Sequence, residues 1–300
     1  MDTLMSAKIL DGKLLAGRIK DDLRQEVEQL KASTGMVPTI VNVMIGGDAG
    51  ACSYASSQKK VAESIGIKYE LVNLAQDVSQ PDLVKYVKGL NSDPKVHGIM
   101  IHKPVPSQID YHAVANEVDI AKDLEGINVT NIGKMLLGST NMIPCTPAAV
   151  MEHIHSTGVD LRGKEVVIVG ASGIVGKPLS LLLLREYATV SVCHVATSEA
   201  GKLVDHIKRA DILIVAVGRA GLIKGDWIKN DAIVIDVGIN QVDNKIVGDV
   251  EFEPAQKKAS FITPVPGGVG PVTVVMLMRN ALEAYKLQAQ GLRDVKTVRK

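Results

Sequence analysis

Two glycine-rich strings in this 300-residue chain are of a kind that brings backbone close to a ligand. The first is Pro264-Val265-Pro266-Gly267-Gly268-Val269-Gly270-Pro271-Val272-Thr273, ahead of a helix-like C-terminal segment. Proline fixes φ, whereas glycine admits φ > 0 and close approach of a bound group. The same composition also suits a tight structural turn. The second, Gly170-Ala171-Ser172-Gly173-Ile174-Val175-Gly176, follows the apolar run Val166–Val169 and opens a helical pattern. Strand, turn and helix in that order are the context of a dinucleotide motif, in which free N–H groups at the helix start take a phosphate. Gly170, Gly173 and Gly176 do not spell GxGxxG, and the string beginning at Ala171 matches it only with alanine first. A glycine turn that binds nothing is the competing reading. The strand after this motif ends in Cys193-His194-Val195-Ala196-Thr197, with neither the carboxylate that grips ribose hydroxyls nor the arginine that suits a 2′-phosphate. His194 has two readings there, a ribose contact or a structural histidine.

The elements that must position these strings follow from apolar periodicity. Leu14, Leu15, Ile19, Leu23, Val27 and Leu30 predict a helix over 13–32. Strands are predicted at Thr39–Ile45, Lys68–Leu74 and Val96–Ile101, alternating with helices at Tyr54–Ile65 and 81–91. The second half repeats the alternation. Strands are expected at Glu165–Val169, Thr189–Cys193, Ile212–Val217, Ala232–Val237 and Ser260–Ile262, with helices at Ile174–Arg185 and Leu203–Arg209. Val- and Ile-rich runs with little alternation mark parallel strands covered on both faces. The fold class is therefore α/β with two αβ domains, the second a Rossmann-type doubly wound parallel sheet. The expected first domain is 1–148, completed by a C-terminal helix over about 272–300, and the second is 149–271. A Pro144-Cys145-Thr146-Pro147 turn is expected between them.

Bulk composition excludes several classes. A net charge of +1, two phenylalanines and one tryptophan supply neither the basic surface nor the aromatic platform of a nucleic-acid binder. No apolar run reaches the length of a membrane span, and the polar N-terminus is unlike a signal peptide. Cys52, Cys145 and Cys193 are odd in number and widely spaced, which suggests neither a disulfide framework nor a metal site and fits a reducing cytoplasm.

Taken in order, Ile9–Lys13, Val96–Met100, Lys122-Asp123-Leu124-Glu125-Gly126, Pro144–Pro147, Gly170–Gly176, Asp236-Val237-Gly238-Ile239-Asn240 and Pro264–Thr273 resemble the bifunctional methylenetetrahydrofolate dehydrogenase/methenyltetrahydrofolate cyclohydrolase family. The likeness covers nearly the whole chain. It implies a folate in a cleft between two domains, beside a nicotinamide, in a homodimer. It also implies that a Tyr-x-x-x-Lys pair, a loop Gln and the second Asp of Lys-Asp-Val-Asp-Gly line the folate site. Those positions read here Tyr54, Gln58, His102 and Glu125, with Lys103 and Pro104 next to His102 and with Gly267 and Gly268 as further substrate contacts. The cofactor positions implied are Gly170 to Gly176, His194, Val195, Thr197, Gly218, Ile239 and Thr273.

The departures carry chemical meaning. Hydride transfer from the folate methylene to the nicotinamide asks the protein mainly to position two partners. Hydrolysis of the methenyl product needs proton transfer, which a titrating ammonium serves and the Gln58 amide does not. Tyr54 and Gln58 share a helix face at i and i+4, whereas Lys59 points elsewhere. His102 has two readings: an acid/base in place of the lysine, or a residue that fills the glutamine's volume. Ala171 and Val195 stand where the family has Arg and Ser, which favours NAD over NADP. The expectation is an NAD(P)-dependent oxidation of 5,10-methylenetetrahydrofolate with cyclohydrolase activity weak or lost. The alternatives are a fully bifunctional enzyme working through His102 or a non-catalytic binding paralogue.

Overall fold

The computed structural model of the chain describes residues 6–47 and 49–298. In chain order the elements are β1 (Lys8–Ile9), α1 (Gly12–Thr34), β2 (Thr39–Ile45), α2 (Ala49–Ser64), β3 (Lys68–Leu74), α3 (Gln80–Ser92), β4 (Gly98–Ile101), α4 (Tyr111–Asn116), α5 (Val129–Leu136) and α6 (Cys145–His155). Then follow β5 (Glu165–Val169), α7 (Gly176–Arg185), β6 (Thr189–Cys193), α8 (Val195–Glu199), α9 (Leu203–Arg209), β7 (Ile212–Val215), β8 (Ile233–Asp236), β9 (Asn240–Val242), β10 (Lys245–Val247), α10 (Phe252–Gln256), β11 (Phe261–Ile262) and α11 (Val269–Val298). The chain divides into two units, Met1–Gly17 with Thr146–Thr273, and Arg18–Cys145 with Val274–Lys300. No helix among the described residues is long and apolar enough to cross a membrane.

The first unit is a six-stranded parallel sheet in the order β1-β11-β8-β7-β5-β6. β5, β7 and β8 are buried along almost their whole length, as their unbroken Val/Ile runs require. The chain leaves β5 to one side for β6 and returns to the other for β7, so the strand order reverses at β5, where open α/β sheets form a ligand crevice beyond the carboxyl ends. Two expectations need correction here. Residues 1–148 do not form one domain: β1 joins this sheet through Lys8 and Ile9 paired with Phe261 and Ile262, a two-residue strand too short to show a period. The Pro144–Pro147 string is no simple turn, because α6 starts at Cys145 and holds Pro147 in its first turn, where no N–H is needed. The β9–β10 hairpin escaped the period argument too; Asp243 and Asn244 both take positive φ, the geometry of a tight two-residue turn.

Within this unit His153, on α6, is fully buried and neither ring nitrogen has a hydrogen-bond partner. Burial holds the imidazole below its ordinary value; the Gly268 backbone lies alongside and opposes the shift without the geometry of a full hydrogen bond. The unfolded ring takes up a proton below about pH 6.5 while the folded ring resists it, so folded stability falls as pH drops through that value. His153→Leu is expected to raise stability by about 1–3 kcal/mol, and by more at pH 5.5 than at pH 8. Urea unfolding at both pH values checks this; equal pH dependence in the two proteins would rule it out.

The second unit centres on the three-stranded parallel sheet β3-β2-β4. Val41, Val43 and Ile45 of β2 and Ile99 and Ile101 of β4 pack with Leu83 and Val87 of α3 and Val114 of α4. α11 is tied to this unit by its polar side chains. The Asn280 amide donates to the Leu124 and Ile143 carbonyls, each at 2.8 Å, and the Tyr285 hydroxyl donates to Thr34 Oγ1 at 2.8 Å.

Candidate active site

In the second unit, three segments converge beside the end of β4. The segment Lys122–Leu124 runs along β4, with Ile99 N–H donating to the Lys122 carbonyl at 2.7 Å and Asp123 bridging Ile99. A side chain at Gly98 would collide with Leu124, so the glycine permits this approach. The arrangement sets Glu125 near the Ile101 backbone and Lys103 at the end of β4, where His102 and Pro104 also lie in sequence. Helix α2 supplies Tyr54 and Gln58. Tyr54 is 42% exposed, and its ring lies 5.9 Å from that of the buried His102. Burial pushes the Tyr54 phenol up, with contributions from Cys145 and Glu125, while Gln58 pulls it down.

Gln58 is buried, and its amide is committed inward. Gln58 Oε1 accepts from Asn42 Nδ2 and from the Tyr69 hydroxyl, each at 3.0 Å, and Nε2 faces Met100 Sδ at 3.7 Å. The Asn42 amide also faces His102 Nδ1 at 3.1 Å. Burial pushes the Tyr69 phenol to about 12, so it stays protonated. Asn42 and Tyr69 are site neighbours that sequence reasoning missed. One signal was available: Asn42 interrupts an otherwise apolar strand, and a buried polar residue is seldom idle.

Glu125 is held from the other side. The Tyr111 hydroxyl donates to Glu125 Oε2 at 2.8 Å, and Lys103 Nζ sits 3.7 Å from the centre of the Tyr111 ring. Burial, assisted by Asp123, pushes the Glu125 carboxyl to about 7, against the pull of Tyr111 and Lys103.

In the first unit the glycine turn sits at the reversal point of the sheet. Gly170 has φ +123°, and a Cβ there would lie 2.9 Å from the Ala216 carbonyl carbon and closer still to its oxygen. Gly176 is equally confined, 2.9 Å from the Gly170 carbonyl carbon, whereas Gly173 has open space. The two confined glycines let β5, β7 and α7 pack closely, and α7 begins without a side-chain cap on its N–H groups, which fits a pyrophosphate. Ser172 Oγ accepts from the Val175 N–H at 3.2 Å and braces the turn. At the neighbouring strand ends, Val195 and Ile239 are 72% and 69% exposed, and His194 caps α8 with Thr197 Oγ1 accepting from its N–H at 3.2 Å. Gly218 has φ +66°, and its loop is held by Asp249, whose carboxylate accepts from the N–H groups of Val217, Gly218 and Arg219 at 2.8, 2.9 and 2.7 Å. Nothing in the motif pointed to Asp249, which lies far along the chain.

The string Pro264–Thr273 divides in two. Gly267, at φ +104°, accepts from the Gly12 N–H at 2.9 Å, while Val269–Thr273 already forms the start of α11. The Thr273 hydroxyl donates back to the Val269 carbonyl at 3.1 Å, inside its own helix.

Comparison with known proteins accounts for both sites together. Residues 10–125 match the catalytic-domain model of tetrahydrofolate dehydrogenase/cyclohydrolase, and residues 144–289 match its NAD(P)-binding domain. The bifunctional protein FolD of Bacillus pumilus is 47% identical over 94% of this chain and 99% of its own length. The FolD crystal structure from Campylobacter jejuni superposes with a TM-score of 0.90 at 39% identity, covering 94% of this chain and 99% of that one. The methylenetetrahydrofolate dehydrogenase-cyclohydrolase of Trypanosoma brucei, solved with NADP and an inhibitor, gives 0.90 at 36% identity over 95% and 99%. With two domain models matched in order and near-complete coverage on both sides, the chain belongs to the tetrahydrofolate dehydrogenase/cyclohydrolase family.

Proposed function

We propose that this chain oxidises 5,10-methylenetetrahydrofolate with a nicotinamide dinucleotide and hydrolyses the methenyl product, in the cytoplasm and as a homodimer. The observation that carries the reading is the convergence of Tyr54, His102, Lys103 and Glu125 on one edge of the second unit. Glu125 grips the donor edge of the pterin, and the exposed Tyr54 ring lies alongside the substrate. Gly170 to Gly176, Val195 and Ile239 hold the dinucleotide, which supplies a hydride acceptor when bound. Dehydrogenation then needs only that the residues present hold and orient. Hydrolysis needs a proton to move, and His102, against Tyr54, is the imidazole placed to move it. The printed names of the FolD relatives, which are bifunctional, support retention of both reactions.

One observation favours the second reading, with hydrolysis weak or lost: the Gln58 amide, which does not titrate, is committed inward to Asn42 and to the protonated Tyr69 hydroxyl. On the cofactor, Ala171 and Val195 offer no charge to a 2′-phosphate, which favours NAD. Paired assays decide these points. Reduction of NAD or NADP by methylenetetrahydrofolate is expected, with a higher kcat/KM for NAD, and methenyltetrahydrofolate is expected to decay faster than without enzyme. Reduction of neither nucleotide would refute the dehydrogenase reading, decay at the uncatalysed rate would establish the second one, and equal kcat/KM would remove the preference.

A further inference from the structure

Glu125 poses a positioning problem. Its carboxylate hangs on three side-chain torsions, and freezing such a chain costs about 1.5–2 kcal/mol unless something has frozen it beforehand. A ligand recognised through the carboxylate therefore gains if the rotamer is fixed before it arrives. Tyr111 is built to do this. It opens α4, whose N-terminus is secured by Asp110 Oδ1 accepting from the His112 and Ala113 N–H groups at 3.0 and 3.1 Å. Its ring is buried in the core of β2 and β4, so the hydroxyl has little freedom. That hydroxyl donates to Glu125 Oε2, and the Lys103 ammonium lies over the face of the ring. A cation over the ring is attracted by its quadrupole, which ties Lys103 to the same assembly.

We propose that Tyr111, clamped by Lys103 over its ring, is a positioning residue that fixes the Glu125 rotamer and commits one carboxylate oxygen so that the other is presented to the folate. The inference rests on the reading of Glu125 as the pterin contact. The donor is permanent: burial and the neighbouring charges of Glu125 and Asp123 push the Tyr111 phenol far above neutrality. The groups facing Glu125 are Tyr111, Lys103, Asp123, Tyr54 and the Cys145 thiol, and burial pushes that thiol up and keeps it neutral. Tyr111 is thus a fixed donor that favours the carboxylate form of Glu125.

Tyr111→Phe keeps the ring and the Lys103 contact and deletes the hydroxyl. A hydrogen bond to a charged group is worth about 1.5–3 kcal/mol, so KM for methylenetetrahydrofolate is expected to rise at least about tenfold. The kcat is expected to change less than about threefold and KM for the dinucleotide not at all, since neither reports on pterin binding. The limb of kcat/KM against pH set by Glu125 is expected to move to higher pH, because a bond favouring the carboxylate is gone. A merely structural tyrosine would leave that limb in place. Glu125→Gln separates the two layers. An unchanged folate KM in Glu125→Gln would remove the underlying reading. A raised KM there, with neither KM nor the limb moved in Tyr111→Phe, would overturn the positioning role alone.

Discussion

His102→Ala is expected to lower methenyltetrahydrofolate hydrolysis by about 10²–10⁴-fold while methylenetetrahydrofolate oxidation changes by less than about tenfold. The larger figure is the usual worth of a positioned acid/base. The split follows from what each reaction asks: the oxidation moves a hydride between bound partners, whereas the hydrolysis must deliver and collect protons. The fold is expected to tolerate the change. His102 leaves Asn42 with two further partners, Gln58 Oε1 and the Tyr69 hydroxyl, so truncation does not strand the amide. The backbone N–H of residue 102 still donates to the Val43 carbonyl, here at 2.8 Å. His102→Gln tests the opposing idea that the ring only fills space. It restores an amide of similar volume that does not titrate, so it is expected to be as poor in hydrolysis as alanine. Wild-type hydrolysis in His102→Gln would show that the histidine transfers no proton.

That prediction joins residues of unequal visibility in the sequence. The parallel strands β2, β3, β5 and β6 were legible to the residue: β2 and β5 as buried, nearly continuous apolar runs, and the partly exposed edge strands β3 and β6 as shorter apolar patterns broken by polar residues. The glycine turn at Gly170 was legible for the same local reason. The site was less so. Tyr54, Gln58, His102 and Glu125 could be picked out only through the family likeness, and their partners not at all. Tyr111 meets Glu125 because α4 folds back on β4, and Asp249 meets Val217 to Arg219 because a hairpin returns the chain to the sheet. Both contacts are fixed by tertiary packing, which leaves no period or spacing behind. The short elements β1, α8 and α10 failed for a different reason: a few residues do not complete a recognisable repeat.

Gly12→Ala tests the most confined contact of this kind. Gly12 lies in the Ile9–Lys13 string, where nothing local demands a glycine, since it starts the regular helix α1. The demand comes from the loop ahead of α11. A Cβ at Gly12 would lie 2.6 Å from the Gly268 carbonyl carbon, 2.7 Å from the Gly267 oxygen and closer still to the Gly268 oxygen. These are backbone atoms, so no side-chain rotation relieves the collision. The loop itself is packed behind, because a Cβ at Gly268 would already lie 2.6 Å from the Pro264 oxygen and 2.8 Å from Thr263 Cβ. Either α1 or the loop must shift, and the Gly12 N–H bond to Gly267 must stretch or break. Overpacking of this kind costs about 1–3 kcal/mol, and a collision with backbone on both sides places it at the upper end. Gly267 and Gly268 are expected substrate contacts, and a displacement near 1 Å at such a contact is expected to cost about 10²-fold in rate. The variant is therefore expected to unfold at a lower urea concentration and, where folded, to lose most of its dehydrogenase activity. Gly17→Ala is the matched control on the same helix, with nothing within 4 Å of the added carbon. It is expected to stabilise by up to about 1 kcal/mol through helix propensity alone and to leave activity unchanged. If both variants matched the wild type in midpoint and rate, the close approach of Gly12 to the Gly267–Gly268 backbone would not be what holds this loop in place.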